Sequence, residues 1–202
     1  ILKANAVVSI VSALTKADKL RHLLNHCRAR ALISDGHFAP VFERAIAAGC
    51  PQLETTIVSG EYPRERLEKL PGGLTFADAI ATPSPPPARK GIDIDLASLI
   101  YTSGSTGEPK GVMHTHRNIM TATTSTSSYL GNVEDDVILC ALPLAFNYGI
   151  DQLIMSVRAA ACLVLERGFA YPAQTLKVMQ EERVTGFPGV PTMFAMLGEM
   201  SS

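Results

Sequence analysis

Short apolar runs alternate with segments of helical periodicity along most of this chain. The apolar runs predict β-strands at residues 7–10, 31–34, 56–59, 97–101, 137–142, 162–166 and 185–190. Helical spacing and helix-start residues predict α-helices between them, over residues 15–27, 41–48, 115–120, 150–161, 172–184 and 191–200. Strands that alternate with helices are typical of an α/β fold with a largely parallel sheet.

The residues at several helix ends fit this prediction. Thr15 is the predicted N-cap of the first helix, in which apolar residues recur at the spacing i, i+3, i+4 and i+7 from Leu20 to Cys27. Gly49 is expected to end the second helix. Thr115 is the predicted N-cap of the helix that begins near residue 115.

One proline-rich segment divides the chain. Residues 82–91 contain four prolines and are typical of a linker. We therefore predict an α/β segment over residues 1–81, a linker-like loop over residues 82–96, and a second α/β segment over residues 97–202.

Composition narrows the function classes. Apolar residues make up 47% of the 202 residues and charged residues 18%, which is typical of a globular protein. The net charge of −1 gives no reason to expect nucleic acid as a partner. No apolar run reaches the ~20 residues that a membrane span needs. The widely spaced Cys27, Cys50, Cys140 and Cys162 indicate reduced, mostly buried thiols in the cytoplasm and no metal site.

The segment TSGSTGEPK, residues 102–110, combines two glycines, four hydroxyl side chains and a lysine. Glycine allows close approach of a backbone to a ligand, and hydroxyl, N–H and ammonium groups donate hydrogen bonds to anionic oxygens. A surface turn uses the same residue types. The apolar strand before the segment and Pro109 within it favour a phosphate-binding loop. It is not a Walker A loop, because Glu108 and Pro109 separate Gly107 from Lys110.

Two histidines close to this loop raise the question of a metal site. His114 and His116 follow the loop and are separated by one residue. We interpret them as a strand end and a helix start in preference to metal ligands. Phe146 and Tyr148, further along the chain, fit either ordinary core packing or a binding pocket.

Residues 101–112, YTSGSTGEPKGV, resemble the signature of the adenylate-forming superfamily, which includes acyl- and aryl-CoA synthetases, firefly-type luciferases and the adenylation domains of peptide synthetases. The resemblance continues in residues 1–34, in 142–149 (LPLAFNYG) and in 189–197 (GVPTMFAML). It covers essentially the whole chain, which corresponds to the middle of the family's large N-terminal domain. The resemblance therefore implies layered, largely parallel sheets flanked by helices.

The resemblance also implies a reaction. Members couple a carboxylate to ATP, which gives an acyl-adenylate and pyrophosphate, and most then transfer the acyl group to the thiol of CoA or of carrier-protein phosphopantetheine. Thr102 and Lys110 are then the catalytic candidates. The implied phosphate-binding residues are Thr102, Ser103, Gly104, Ser105, Thr106, Gly107 and Lys110. Mg²⁺ is the implied metal cofactor, with ligands mostly outside this chain.

The second motif is implied to line the acid pocket. Phe146 matches the aromatic position near the substrate carboxylate, and Tyr148, Gly149 and Gly189 are further candidate substrate-binding residues. Asn147 stands where amino-acid-activating domains usually have an aspartate. Because an amide cannot pair with a substrate ammonium by charge, Asn147 favours an acyl or aryl acid.

The family's later motifs are not found in these residues. These motifs are an aromatic-Gly-x-Thr-Glu segment, a ribose-binding aspartate, the hinge and the lysine of a C-terminal domain. We therefore expect a piece of a larger AMP-forming ligase, inactive alone, whose partners are ATP, a carboxylic acid and CoA or acyl carrier protein. The alternatives are an amino-acid adenylation domain and a catalytically silent nucleotide-binding fragment.

Overall fold

A computed structural model describes residues 1–85, 87–88, 90–103 and 109–199, with Ser103 described by its backbone only. The chain has two compact units. The first unit comprises Val11–Ala88 and Ser103–Gly111, and the second comprises Ile1–Ile10, Arg89–Thr102 and Val112–Ser202. The linker-like character of residues 82–96 stays a prediction.

The first unit is built on a three-stranded parallel sheet in the order β1-β2-β3. Its elements are α1 (Ala17–His26), β1 (Ala31–Asp35), α2 (Ala39–Ala47), β2 (Thr55–Ser59), α3 (Arg64–Leu67), β3 (Gly73–Thr75) and α4 (Phe76–Ala81). In the sheet, Ile33 pairs in register with Ile57, and Ile57 with Leu74. Helices α1 and α2 pack against each other.

The core of the first unit lies between the helices and one face of the sheet. Phe42 on α2 is fully buried, and Val58 on β2 is almost fully buried. The other core residues are Ala17, Leu20, Leu24, Ala39, Ala45, Leu67 and Leu70. The apolar residues that recur at helical spacing in the sequence thus face a single core.

The remaining elements follow the proline-rich segment. They are β4 (Leu96–Ser103), β5 (Pro109–Thr115), α5 (His116–Leu130), β6 (Val137–Cys140), α6 (Asn147–Ala159), β7 (Cys162–Leu165), α7 (Pro172–Glu181) and α8 (Pro191–Glu199). Strand β4 neighbours β5, and β6 pairs in parallel with β7. Helix α5 packs against α6. Among the described residues, no helix is both long and apolar enough to cross a bilayer.

The core of the second unit surrounds strand β6. Leu139, Ala141 and Met193 are buried there, with half-buried Val164 and Phe187 packed against them. Residues from β6, β7 and α8 therefore form one core. These observations confirm the predicted α/β class with largely parallel sheets.

Two predicted strands are wrong. Residues 7–10 form a single parallel bridge, from Val8 to Ser98, in place of a strand. Residues 185–190 are likewise reduced to one bridge, between Gly186 and Ile138. In the second segment Pro188 has no N–H to donate to a neighbouring strand, which limits pairing to its first residues.

The helix starts differ in part from the prediction. Thr15 is not the N-cap of α1, because Lys16 precedes the helix and provides no side-chain cap. Helix α2 begins earlier than residue 41, with Pro40 in its first turn, where proline's missing N–H costs nothing. Thr115 is confirmed as the N-cap of α5, since its Oγ1 accepts a hydrogen bond from Asn118 N at 3.2 Å.

Candidate active site

The predicted phosphate-binding loop joins β4 to β5. Ala97 and Ile100 anchor β4 in the interior, and Thr102 near its end is exposed. Lys110 is the second residue of β5 and is also exposed. The other predicted phosphate ligands lie outside the described side chains: Ser103, Gly104, Ser105, Thr106 and Gly107. The phosphate-binding roles of all these residues stay predictions.

Hydrogen bonds connect the segment before β4 to the start of α5. The guanidinium of Arg117 donates two hydrogen bonds to the Asp93 carboxylate, at 2.8 Å from Nε and 3.0 Å from Nη2. The backbone N–H groups of His116 and Arg117 donate to the carbonyl oxygens of Asp95 and Asp93. The Arg117 guanidinium also lowers the pKa of Asp93. The first N–H groups of α5 are therefore already paired within the protein.

The predicted acid-pocket motif forms the turn into α6. Phe146 immediately precedes the helix, and Asn147 and Tyr148 are its first two residues. The exposed fraction is 53% for Phe146 and 45% for Tyr148, and Asn147 is exposed as well. Neither aromatic ring is therefore buried in the core of the described residues. Their predicted contact with substrate stays a prediction.

Gly149 allows this turn to close. A Cβ on this buried glycine would lie 2.4 Å from the carbonyl oxygen of Pro143 and 3.0 Å from that of Leu142. Phe146 N donates to the Pro143 carbonyl oxygen, and the N–H groups of Gly149 and Ile150 both donate to that of Phe146. The close backbone approach explains glycine at this position. Its predicted role in substrate binding stays a prediction.

Gly189 lies beside a cluster of aromatic rings. A Cβ on Gly189 would lie 3.0 Å from ring atoms of Phe194. The rings of Phe187 and Phe194 meet edge to face with centroids 5.8 Å apart, and Phe169 lies 5.7 Å from Phe187. Phe194 remains 51% exposed. Sequence reasoning missed this aromatic cluster, because its members come from three separate segments.

Two ionisable residues of the second unit lie in unfavourable surroundings: one has a buried atom without a hydrogen-bond partner among the described residues, and the other has a raised pKa. His114 lies at the end of β5, and its Nε2 is buried with no hydrogen-bond partner among the described residues. Burial raises the pKa of Asp151 on α6, and the charge of His114 opposes that shift. Sequence reasoning missed Asp151. The sequence feature that could have identified it is a carboxylate among the apolar residues at helical spacing in α6.

Within the described residues, the histidines and cysteines belong to no cluster that could hold a metal ion. His114 ends a strand and His116 starts a helix, as predicted. Across the described part of the chain, no group of three or more His, Cys, Asp or Glu side chains could hold a metal ion. The four cysteines are free. Cys162 is exposed, contrary to the expectation of mostly buried thiols, while burial raises the pKa of the Cys140 thiol.

Comparison with known proteins identifies relatives along the whole chain. The model of the AMP-binding enzyme family matches residues 1–202. The chain is 33% identical to a 4-hydroxybenzoate–CoA/benzoate–CoA ligase of Rhodopseudomonas palustris, over 97% of this chain and 35% of that protein. It is 30% identical to a benzoate–CoA ligase of Thauera aromatica, over 94% of this chain and 34% of that protein.

Solved structures show the same fold. The anthranilate CoA ligase AuaEII, in complex with anthranoyl-AMP, superposes with a TM-score of 0.85 and 31% identity, over 96% of this chain and 37% of that chain. A benzoate CoA ligase from Burkholderia xenovorans LB400 gives a TM-score of 0.79. The chain spans about a third of the length of these relatives. Its sequence and its fold thus both show that the chain belongs to the AMP-binding enzymes, the adenylate-forming family.

Proposed function

We propose that the protein carrying this chain is an AMP-forming acid–thiol ligase. It activates a carboxylic acid with ATP and then transfers the acyl group to the thiol of CoA or of a carrier protein's phosphopantetheine. The observation that carries this proposal is the AMP-binding enzyme match over all 202 residues. The aryl-CoA ligases among the relatives support it.

The first half-reaction joins two anions. An oxygen of the substrate carboxylate attacks the α-phosphorus of ATP, and the bond from that phosphorus to the pyrophosphate oxygen breaks. Negative charge then builds on the leaving pyrophosphate. Donors that are fixed before the reaction stabilise such charge without reorganising. We assign this task to the hydroxyl and N–H groups of residues 102–110 and to the ammonium of Lys110.

The second half-reaction needs a thiol. The thiolate sulfur attacks the carbonyl carbon of the acyl-adenylate, and AMP leaves with its phosphate oxygen.

Mg²⁺, when bound, would neutralise part of the phosphate charge. As the family resemblance implies, we propose that the Mg²⁺ ligands lie mostly outside this chain. We place the protein in the cytoplasm, which its free cysteines favour.

Two features of the turn into α6 support, as substrate, an acyl or aryl acid that has no ammonium group. Asn147 at the first position of α6 has no negative charge to pair with the ammonium group of an amino acid. Phe146, immediately before it, exposes half of its ring. An exposed aromatic side chain is suited to stack against an aromatic acid. We therefore rank aromatic acids first among the substrates.

The test is pyrophosphate release by the full-length protein with ATP and Mg²⁺. We expect release to depend on the added acid and to be faster with benzoate, 4-hydroxybenzoate or anthranilate than with amino acids. Release that is independent of any acid contradicts the proposal. Faster release with an amino acid would identify a peptide-synthetase adenylation domain, and ATP binding without adenylate formation would identify a catalytically silent nucleotide-binding protein.

A further inference from the structure

One face of the sheet β1-β2-β3 carries apolar side chains that the described residues leave partly exposed. Successive side chains of a strand point to opposite faces of its sheet. Leu32 and Val58 point to the first face and pack in the core of the first unit. On the second face, Ile33 is 49% exposed and Leu74 is 41% exposed, and Ile57 between them is half-buried. These three residues do not belong to the core cluster of this unit.

The three side chains form a row across the sheet. In the parallel register, Ile33 pairs with Ile57, and Ile57 pairs with Leu74. Neighbouring strands lie about 4.8 Å apart, so the row extends over about 10 Å from β1 to β3. An α-helix with its side chains is about 10 Å wide. A single helix that lies along β2 would therefore cover the whole row.

A parallel sheet with an open apolar face is unusual. Sheets of this kind occur almost only where helices cover both faces. Helices α1, α2 and α3 provide the buried residues that pack on the first face. Helix α4 contacts β2 and β3, but none of its own residues is buried, and its Phe76 and Ile80 are exposed. Within the described part of the first unit, the second face thus has no complete covering layer.

The length of the relatives indicates where this layer comes from. The chain spans 35% and 34% of two related ligases, so about two thirds of a protein of that length lies outside it. A segment of the same polypeptide binds at a high effective concentration. A second molecule would need a much larger surface, because stable interfaces bury about 800 Å² on each partner. Three partly exposed side chains offer far less than that.

We propose that the row of Ile33, Ile57 and Leu74 is an internal docking face, which the apolar side of an amphipathic helix from outside residues 1–202 covers in the longer protein. The row carries no charge, so it fits a helix face of aliphatic or aromatic side chains. The inference concerns packing and not the reaction. It therefore does not rest on the proposed ligase activity.

The first experiment measures access to the face in the purified full-length protein. Leu74→Cys is treated with a thiol-reactive probe, and peptide mass spectrometry follows each cysteine separately from the four native ones. The matched control is Lys69→Cys, an exposed position between α3 and β3. Leu74→Cys is expected to react at least ~10-fold more slowly than Lys69→Cys, because a covered side chain reacts only after local opening. Equal rates would overturn the proposal.

Ile33→Cys repeats this measurement on a different strand. It is expected to show the same slow reaction as Leu74→Cys, since one helix covers both positions. Circular dichroism is expected to show that both variants keep the fold. Slow reaction at only one of the two positions would contradict a single covering helix.

The second experiment identifies what lies on the face. A diazirine analogue of leucine is incorporated at position 74, where it keeps the shape of the side chain. After irradiation, peptide mass spectrometry is expected to find a crosslink to a segment outside residues 1–202 of the same molecule. The same analogue at position 69 is expected to react with water. A crosslink between two molecules, a crosslink only within residues 1–202, or no peptide crosslink at position 74 would overturn the proposal.

Discussion

The buried hydroxyl of Thr56 shows how a single side chain limits stability. Thr56 lies on β2 with 0% exposure, and its Oγ1 has no hydrogen-bond partner among the described residues. Thr56→Val keeps the shape and removes the unpaired polar atom. We expect the substitution to raise the free energy of unfolding by about 1 kcal/mol. Urea unfolding measures this change.

The control for Thr56→Val is the neighbouring residue. Thr55 is only half-buried and points to the opposite face of the sheet. Thr55→Val is expected to change the free energy of unfolding by less than ~0.5 kcal/mol. A destabilising effect of Thr56→Val would mean that its hydroxyl has a partner after all.

Gly149 supports a second prediction for a single residue. The carbonyl oxygens of Pro143 and Leu142 approach it so closely that they leave no room for a Cβ. Gly149→Ala is therefore expected to lower the free energy of unfolding by about 1–3 kcal/mol, as overpacked core positions do. Thermal and urea unfolding of the full-length protein provide the measurement.

Gly198 offers a matched glycine-to-alanine control. It lies on α8, and a Cβ there would meet no neighbouring atom of the described residues within 4 Å. Gly198→Ala is expected to be neutral or stabilising by up to ~1 kcal/mol, because alanine has the higher helix propensity. Equal effects of the two substitutions would show that the turn into α6 has more space than the described atoms indicate.

At the scale of the elements, hydrogen bonds of Asp136 connect the start of β6 to the segment that follows α7. Its Oδ1 accepts a hydrogen bond from Thr185 Oγ1 at 2.8 Å, and its Oδ2 accepts one from Val133 N at 3.0 Å. Thr185 Oγ1 in turn accepts from Val137 N at 3.0 Å. The hydrogen bond from Val133, followed by those from Thr185 and Asn132, lowers the pKa of Asp136.

The pH dependence of this network follows from the direction of the pKa shift. Because the folded pKa of Asp136 is lowered, its contribution to stability is complete above the unfolded pKa of about 4 and is lost as the pH falls through the folded pKa. Asp136→Asn is expected to cost about 1 kcal/mol at pH 7. The difference from the unmodified protein should shrink below about pH 4. Unfolding curves from pH 3 to pH 7 test this, and a constant difference would contradict it.

The elements differ in how far the sequence could predict them. Strand β1 and helix α6 have clear apolar patterns, and the structure confirms both, at Ala31–Asp35 and Asn147–Ala159. Strand β3 has only three residues, Gly73–Thr75, and owes its place to parallel pairing with β2. So short a strand has no periodicity to detect. Strand β5 was predicted only at its end, through His114, because its first residues belong to the Gly-rich motif.

At the scale of the whole molecule, the sequence could propose candidate site residues only where they are contiguous in the chain. Residues 102–110 and 142–149 were identified as motifs because each is one unbroken segment. The hydrogen bonds from Arg117 to Asp93 depend on tertiary folding, because β4 and β5 lie between these residues in the chain. The aromatic cluster of Phe169, Phe187 and Phe194 likewise exists only in the folded protein.

The proposed activity can be tested through Lys110, since its side chain is exposed at the start of β5. Lys110→Ala removes the positive charge that we assign to phosphate binding, so acid-dependent pyrophosphate release is expected to fall at least ~10-fold, equivalent to a loss of ~1.4 kcal/mol. An exposed lysine contributes little to folding, so the unfolding temperature should stay unchanged. The matched control is Lys69→Ala, an exposed lysine far along the chain from the motif, which should leave release unaffected. Unchanged turnover of Lys110→Ala at low ATP would remove Lys110 from the phosphate-binding group.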